Sequence, residues 1–214
     1  MASQSRERVL RTLLSDYGAT YAADAGIRLR DAPSPLYRLL VLTVLLSARI
    51  SSSLGVAAAR ELSQAGLRTA ASMADATWQQ RVDALGRAGY RRFDERTATM
   101  LGDGAHLVLE RWKGDLRRLR AESDGDVEAL RRGLQDLPGI GPLGSAVFCR
   151  EVQGVWPEVA PFVDDRAASG AQALGLPRTP SALARLVPPD DLPRLVAACV
   201  RASLDDDVVT AVLT

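Results

Sequence analysis

Apolar residues recur at intervals of three and four along most of the chain, which is the spacing of amphipathic helices. Residues 5–16 show this spacing, and Gly18 ends the segment. The stretch 35–48 is apolar on every side, which predicts a central helix surrounded by others. Because helix formers dominate and no long alternating run of β-branched residues occurs, the pattern predicts an all-α fold.

The same periodicity predicts the remaining elements. Residues 24–36 contain two prolines and predict an extended connector. A break at Gly102 and Gly104 would divide one long helix, and either Asp124 or Asp126 can cap a later one. The helices are predicted at 51–64, 77–85, 93–112, 126–135, 142–152, 166–174, 181–187 and 191–203, with a short capped tail from 205.

One stretch, residues 137–146, interrupts this pattern with the sequence Leu-Pro-Gly-Ile-Gly-Pro-Leu-Gly-Ser-Ala. Its first proline and glycines end one helix, and Pro142 stands where the next begins. The pattern therefore predicts helix, tight turn, helix. The backbone N–H groups of Gly139, Gly141 and Leu143 would be free at a helix N-terminus, which is an anion-binding arrangement.

Two other interpretations compete for this stretch. The spacing of Gly139, Gly141 and Gly144 also matches the dinucleotide-binding fingerprint, but that motif follows a strand, and the residues before it here have helical periodicity. An ordinary helix–turn–helix corner would also accommodate a glycine pair. The glycines alone leave the second alternative open.

The complete stretch 137–146 resembles the helix-hairpin-helix of the endonuclease III superfamily of DNA glycosylases. In that family an apolar residue and a catalytic Asp follow some twenty residues later, and 162–165 reads Phe-Val-Asp-Asp. Residues 37–49 are similar to the family's buried helix and its L-L-S-A-Q loop, and 88–90 stand where the family has a Gly-Leu or Gly-Tyr wedge. The resemblance covers roughly residues 35 to 175.

This resemblance implies two helical lobes with a DNA-binding cleft between them. Residues 32–149 would form the central lobe with the helix-hairpin-helix, and residues 1–31 plus 150–214 would form the second. The hairpin and the Asp would then face each other across the cleft. The implied partner is double-stranded DNA containing a lesion or a mismatch, bound by a monomer.

The resemblance makes Asp164 the candidate catalytic residue, since a carboxylate beside the sugar can stabilise a developing oxocarbenium ion and activate water. Its simplest structural alternative is a helix N-cap, and the two roles can coexist. Asp165 is a rival, because some family members that act on alkylated bases carry an Asp pair here. The residues that follow depart from the family, which usually has Thr or Ser and then His or Asn, so lesion preference does not transfer.

Members that also cleave the strand carry a nucleophilic Lys at the position of Leu143, and Leu has no nucleophile. The only lysine, Lys113, lies before the hairpin in a Trp-Lys-Gly turn and is interpreted as a surface residue. Lyase chemistry would therefore need an unconventional amine such as the N-terminus.

Base flipping leaves a gap in the stack, which the enzyme must fill. By resemblance, Tyr90 would intercalate, Arg49 would pair with the orphaned base, and Arg91 and Arg92 would contact phosphates. The alternatives are a half-buried Tyr90 ring beside a glycine turn and a solvated pair of arginines. The family's usual lysine in the G-Y-x-x-K-A stretch is missing.

Composition narrows the remaining possibilities. A net charge of +1 gives no global signal for nucleic-acid binding. Cys149 and Cys199 are the only cysteines, so the four-cysteine iron–sulfur cluster of many relatives cannot be built, and we expect reduced, buried thiols in a cytoplasmic, nucleoid-associated protein. No metal site or cofactor is expected beyond a monovalent cation at the hairpin backbone, and the apolar run 39–48 is too short to cross a bilayer.

These observations predict a monofunctional DNA glycosylase that removes a damaged or mispaired base, with alkylated purines as candidates. Two alternatives stay open: a glycosylase with lyase activity through an unconventional amine, and a non-catalytic module that binds distorted or abasic DNA.

Overall fold

The computed structural model describes residues 2–214, with side chains from Arg6 onward, and this part of the chain contains no β-strand. A π-helical turn at Leu13–Tyr17 extends the first helix. The helices are α1 (Ala2–Thr12), α2 (Tyr21–Asp24), α3 (Pro33–Leu46), α4 (Ser52–Gln64), α5 (Ala70–Asp75), α6 (Trp78–Arg87), α7 (Asp94–Trp112), α8 (Arg117–Glu122), α9 (Val127–Gln135), α10 (Pro142–Val152), α11 (Asp165–Ala173), α12 (Pro180–Ala184), α13 (Leu192–Leu204) and α14 (Asp206–Leu213). The predicted all-α class is confirmed.

Contacts divide the chain into two compact units, a smaller one of Met1–Tyr21 with Val159–Thr214 and a larger one of Ala22–Glu158. The sequence-based boundaries were 32 and 149. By their contacts, residues 22–31 and 150–158 therefore lie in the larger unit rather than in the second lobe.

A cluster around Arg120 explains where these two segments belong. The Arg120 guanidinium pairs with Asp31 at 2.8 Å and with the carboxylate of Glu158. The indole Nε1 of Trp156 donates to the other Asp31 oxygen at 2.9 Å, and Arg120 lies 5.4 Å from the Trp156 ring centroid. The segments on either side of the predicted lobe are thus held to α8 by hydrogen bonds that the hydrophobic pattern does not encode.

Helix α3 is the centre of the larger unit, as its uniform apolarity predicts. It packs against α4, α7 and α10, and its residues from Leu36 to Leu45 are buried apart from the partly exposed Arg38. It ends at Ser47, whose hydroxyl donates to the Thr43 carbonyl at 2.6 Å. The loop that follows therefore leaves the core at a fixed point.

Helix α7 is continuous, and the break predicted at its glycines does not occur. A Cβ on Gly102 would lie 2.6 Å from the guanidinium of Arg81, so this glycine makes room for a buried arginine. Arg81 donates to the carbonyls of Ala98, Met73 and Ala76 at 2.7–3.0 Å. Helices α2, α5 and α8 were not predicted.

In the smaller unit, α11 packs directly on α13. A Cβ on Gly170 would lie 1.8 Å from the carbonyl oxygen of Cys199, so only glycine allows this approach. Arg194 and Arg201 donate to carbonyls in and just after the π-helical turn, Leu14, Tyr17 and Ala19, at 2.6–3.1 Å. The packing fixes the N-terminus of α11, where the candidate catalytic residues lie.

None of the helices in the described part of the chain combines the length and the hydrophobicity that crossing a bilayer requires.

Candidate nucleic-acid interface

Helix α9 is the first helix of the hairpin, and Asp126 caps it. The Asp126 carboxylate accepts hydrogen bonds from the backbone N–H groups of Glu128 at 2.8 Å and Ala129 at 3.1 Å. These hydrogen bonds, chiefly the one from Ala129, hold the pKa of Asp126 below its usual range. Of the two candidate caps, the structure selects Asp126.

The turn after α9 has the features of a type II β-turn. Pro138 occupies its second position, Gly139 its third with φ of +83°, and the Ile140 N–H donates to the Leu137 carbonyl at 3.1 Å. Leu137 and Ile140 are buried, so both ends of the turn are fixed to the core. A positive φ at this position requires glycine or strain.

The second hairpin helix, α10, begins at the predicted Pro142. Within the described residues, the backbone N–H groups of Gly139, Gly141 and Leu143 donate no hydrogen bond. Three unused donors beside a helix N-terminus are the geometry that the sequence predicts for this turn, and anion binding there stays a prediction.

Buried Ser145 holds the two hairpin helices together. It accepts hydrogen bonds from Arg131 at 3.3 Å and Gln135 at 3.2 Å on α9, and it donates to the Pro142 carbonyl at 3.0 Å. These contacts fix the angle at which the turn is presented.

The third glycine of the pattern serves helix packing. A Cβ on Gly144 would lie 2.5 Å from Oγ of Ser47, so glycine allows α10 to approach the end of α3. A helix rather than a strand precedes the turn, which confirms the rejection of the dinucleotide-binding interpretation.

A cavity of about 340 Å³ lies beside the hairpin in the larger unit. It brings together three stretches that are far apart in sequence: the loop after α3, the Gly-Tyr turn before α7, and the hairpin turn. Its lining residues are Val44, Ser47, Ala48, Arg49, Tyr90, Phe93, Arg96, Thr97, Met100 and Gly139. Three predicted site residues, Arg49, Tyr90 and Gly139, therefore share one cavity.

The cavity is rich in hydrogen-bond donors. Arg49 and Arg96 are exposed, and neither forms an ion pair or a side-chain hydrogen bond within the described part of the chain. None of the lining residues is a carboxylate. An arginine carries five N–H donors and no acceptor, so the cavity favours a ligand rich in acceptors.

The Tyr90 ring is buried rather than exposed. Its side chain is only 1% exposed, and its hydroxyl lies 3.0 Å from Oγ1 of Thr97. Burial raises the pKa of the Tyr90 hydroxyl, which therefore stays protonated at neutral pH. The ring fixes the turn to α7, and the intercalating role expected from resemblance does not fit this conformation.

The exposed residues of that turn are Arg91 and Arg92. The Arg92 guanidinium lies 5.1 Å from the centroid of the Phe93 ring, a cation–π arrangement. Neither arginine lines the cavity.

We predict that Tyr90→Phe lowers the free energy of unfolding by about 1 kcal/mol, because it leaves the buried Thr97 hydroxyl without its partner. Affinity for abasic DNA should stay within about twofold of wild type, since the ring that supports the turn is kept. Urea unfolding and fluorescence anisotropy measure the two quantities. A large loss of affinity with unchanged stability would restore a direct role for Tyr90 in DNA binding.

Asp164 and Asp165 lie at the N-terminus of α11 in the smaller unit. Asp164 is the N-cap, and its carboxylate accepts a hydrogen bond from the Ala167 N–H at 3.0 Å. Asp165 is the first helical residue and is exposed. The positive end of the helix dipole favours a carboxylate at both positions.

Leu143, at the position where the resembling family carries a nucleophilic lysine, is 44% exposed in the first turn of α10. Lys113 lies at the C-terminus of α7, where its ammonium donates to the Glu110 carbonyl at 3.2 Å. Lys113 is exposed, as the sequence predicts.

Cys149 and Cys199 are free thiols in the helix interiors. Burial raises the pKa of each to about 12, so both stay protonated and unreactive at neutral pH. The described residues contain no group of three or more His, Cys, Asp or Glu side chains arranged to hold a metal ion.

Sequence reasoning missed three cavity residues on the first turns of α7. Phe93, Arg96 and Met100 follow one another at intervals of three and four, which places them on one face of the helix. The spacing was visible in the sequence. The spacing does not show which elements this face of α7 contacts, because that depends on how α3 and the hairpin pack against it.

A comparison with solved structures finds a similar fold. A trapped endonuclease III–DNA covalent intermediate, in an estranged-adenine complex, aligns over 89% of this chain and 83% of its own with a TM-score of 0.50 and 18% identity. The fold is similar to that of endonuclease III. No protein-family model matches the sequence, and a search of curated proteins finds no match.

Proposed function

We propose that this chain is a monofunctional DNA glycosylase, which turns a damaged or mispaired nucleotide out of the duplex and hydrolyses its N-glycosidic bond. The observation that carries the proposal is that the loop after α3 with Arg49, the Gly-Tyr turn and the hairpin turn all line one cavity. The fold supports it, because the similar endonuclease III structure is a covalent DNA complex.

The hairpin supplies the phosphate contacts in this proposal. Its free N–H groups at Gly139, Gly141 and Leu143 suit a DNA phosphate, and such contacts fix register without reading sequence. Arg91 and Arg92 are exposed on the adjacent turn and add cationic contacts. In this proposal the N–H donors of the hairpin and these two arginines attract the DNA locally, since the net charge of the chain is only +1.

Asp164 supplies the chemistry. As the glycosidic bond breaks, the sugar develops oxocarbenium character, and a carboxylate held beside it stabilises the charge and orients or deprotonates the attacking water. One Asp164 oxygen is fixed by the Ala167 N–H, which limits the rotation of the carboxylate. Alkylated purines suit this minimal machinery, because a positively charged base leaves without protonation by a general acid.

The strand stays intact in this proposal. Schiff-base chemistry needs an amine, and Leu143 stands where the lyase members of the resembling family carry theirs. The product is therefore an abasic site in an unbroken strand.

A single-turnover panel of lesion-bearing duplexes tests the proposal. We expect strand breaks only after alkaline treatment, on at least one alkylated or mispaired base, and no covalent adduct after borohydride reduction on abasic DNA. Breaks without alkali, together with a trapped adduct, would mean a lyase. A protein that binds abasic DNA tightly but excises no base in the panel would be a binding module.

A further inference from the structure

Two arginines of the larger unit, Arg38 on α3 and Arg68 after α4, are both anchored on one residue, Ser63. The Arg38 Nε donates to the Ser63 hydroxyl at 3.0 Å, and the Arg68 Nε donates to the Ser63 carbonyl at 2.7 Å. A second hydrogen bond, from Arg38 Nη2 to the Gly26 carbonyl at 3.0 Å, fixes the orientation of the Arg38 guanidinium. Neutral acceptors therefore hold two positive charges close together.

Within the described residues, no carboxylate neutralises these two side chains. The ion pairs found there involve other arginines. Burial first, and the positive charge of Arg68 second, lower the pKa of Arg38. Because Arg68 is exposed and Arg38 is partly exposed, a ligand can reach both from solvent.

A purely structural role accounts for only part of this arrangement. Arg68 follows α4, and a cation that donates to a carbonyl of the last turn stabilises the C-terminus of a helix. One arginine is enough for that contact, and a second guanidinium nearby adds repulsion. An anion bound between the two would offset this repulsion.

The unused N–H groups of the two arginines indicate the class of anion. Each guanidinium has five N–H donors, of which Arg38 uses two and Arg68 uses one for contacts with the protein. A fork of two N–H groups matches two oxygens of a phosphate, so two forks together favour an anion with more than two free oxygens. A phosphate monoester offers three such oxygens and a charge near −2, whereas a phosphodiester offers two oxygens and a single charge.

We propose that Arg38 and Arg68 form a binding site for a phosphate dianion, either a phosphate monoester or inorganic phosphate. This site is separate from the hairpin, because Arg38 lies about 13 Å along α3 from Ser47, the residue that Gly144 of the hairpin approaches. The inference goes beyond the proposed function and uses none of the residues assigned there to DNA or to chemistry.

Isothermal titration calorimetry at low ionic strength and a pH of about 7.5 tests the site with inorganic phosphate, phenyl phosphate and dimethyl phosphate. We expect wild type to bind the better dianion at least about tenfold more tightly than dimethyl phosphate, which offers one oxygen and one charge fewer. Similar affinity for the two dianions would mean that the site accepts esters. Binding of inorganic phosphate alone would mean a site for the free ion, and both results support the inference.

Arg38→Gln and Arg68→Gln should each weaken binding of the dianion about tenfold. Arg68→Lys keeps the charge but loses the fork, and it should weaken binding about threefold. Arg118→Gln is the matched control, since Arg118 is exposed on α8 and makes no side-chain hydrogen bond or ion pair within the described part of the chain. It should bind as wild type does. Melting without ligand checks that each variant is folded, and the exposed Arg68 is the safer of the two sites to change.

The hairpin turn is the other place where phosphate can bind, so Gly141→Ala is titrated in parallel and should keep the wild-type affinity. Three results would overturn the inference: no preference for a dianion over dimethyl phosphate, unchanged affinity in both folded Gln variants, or a loss in Gly141→Ala that the arginine variants do not share. The last result would place the anion at the hairpin. The assay uses neither DNA nor excision, so its outcome is independent of the proposed function.

Discussion

Asp164→Asn is expected to slow base excision by about 10²–10⁴-fold while DNA affinity stays the same or rises slightly. The substitution removes the charge that stabilises the sugar cation and accepts the proton of water. It also removes one negative charge, and if the chain binds DNA as proposed, this loss cannot weaken binding electrostatically. Single-turnover excision and anisotropy measure the two effects.

This variant separates chemistry from folding. Asn caps helices about as well as Asp, so its side chain can still accept from the Ala167 N–H, and the melting temperature should hold. Asp164→Ala removes the cap as well and should cost about 1 kcal/mol of stability.

Asp165→Asn is the matched control, because it removes the same charge one residue later at an exposed position. It should keep near-wild-type excision and lose a few tenths of a kcal/mol of stability from the helix dipole. If instead Asp165→Asn abolishes excision and Asp164→Asn does not, the rival assignment is correct. If both variants excise normally, the Asp-based mechanism fails.

The local chemistry of the chain could be predicted from sequence where a single residue type decides it. Pro142 starts α10 because its missing N–H costs nothing there, and Gly139 takes the positive φ of the turn. Helix α3 is apolar on every side, so its central position followed from composition alone. For Pro142 and Gly139 the deciding interaction lies within a few residues of sequence, and for α3 the uniform apolarity of one segment is enough.

The structure departs from the sequence-based expectations where packing between elements decides the outcome. The glycine at 102 was read as a helix break, yet it accommodates the Arg81 side chain packed against α7. The resemblance places Tyr90 at the DNA, whereas its ring is buried and its hydroxyl lies 3.0 Å from Oγ1 of Thr97 on the following helix. The unit boundaries depend on Arg120, which joins Asp31 to Glu158 across more than a hundred residues of chain.

The candidate site shows the same division. Arg49 and Gly139 were found because they belong to recognisable motifs, whereas Arg96 belongs to none and is recognised only by the cavity it lines. The spacing of Phe93 and Met100 places them on the same helix face as Arg96. Only the packing of the helices shows which elements that face contacts.

Two glycines of the hairpin turn are expected to respond differently to the same substitution. Gly139→Ala should lower the free energy of unfolding by about 1–3 kcal/mol, because alanine resists a φ of +83° and its Cβ would lie 3.1 Å from Val44 and 3.2 Å from the Met100 sulfur. Affinity for abasic DNA should fall with it, since the turn cannot keep its shape.

Gly141→Ala should leave stability within about 0.5 kcal/mol of wild type, since Gly141 has a φ of −101° and a Cβ there meets nothing within 4 Å. That open space is where a phosphate would approach the free N–H groups, so the added methyl group should weaken DNA binding by about tenfold. Urea unfolding and anisotropy on both variants measure the contrast. Wild-type affinity in a stable Gly141→Ala protein would mean that the turn does not contact the phosphate backbone, and the hairpin would then be a packing corner.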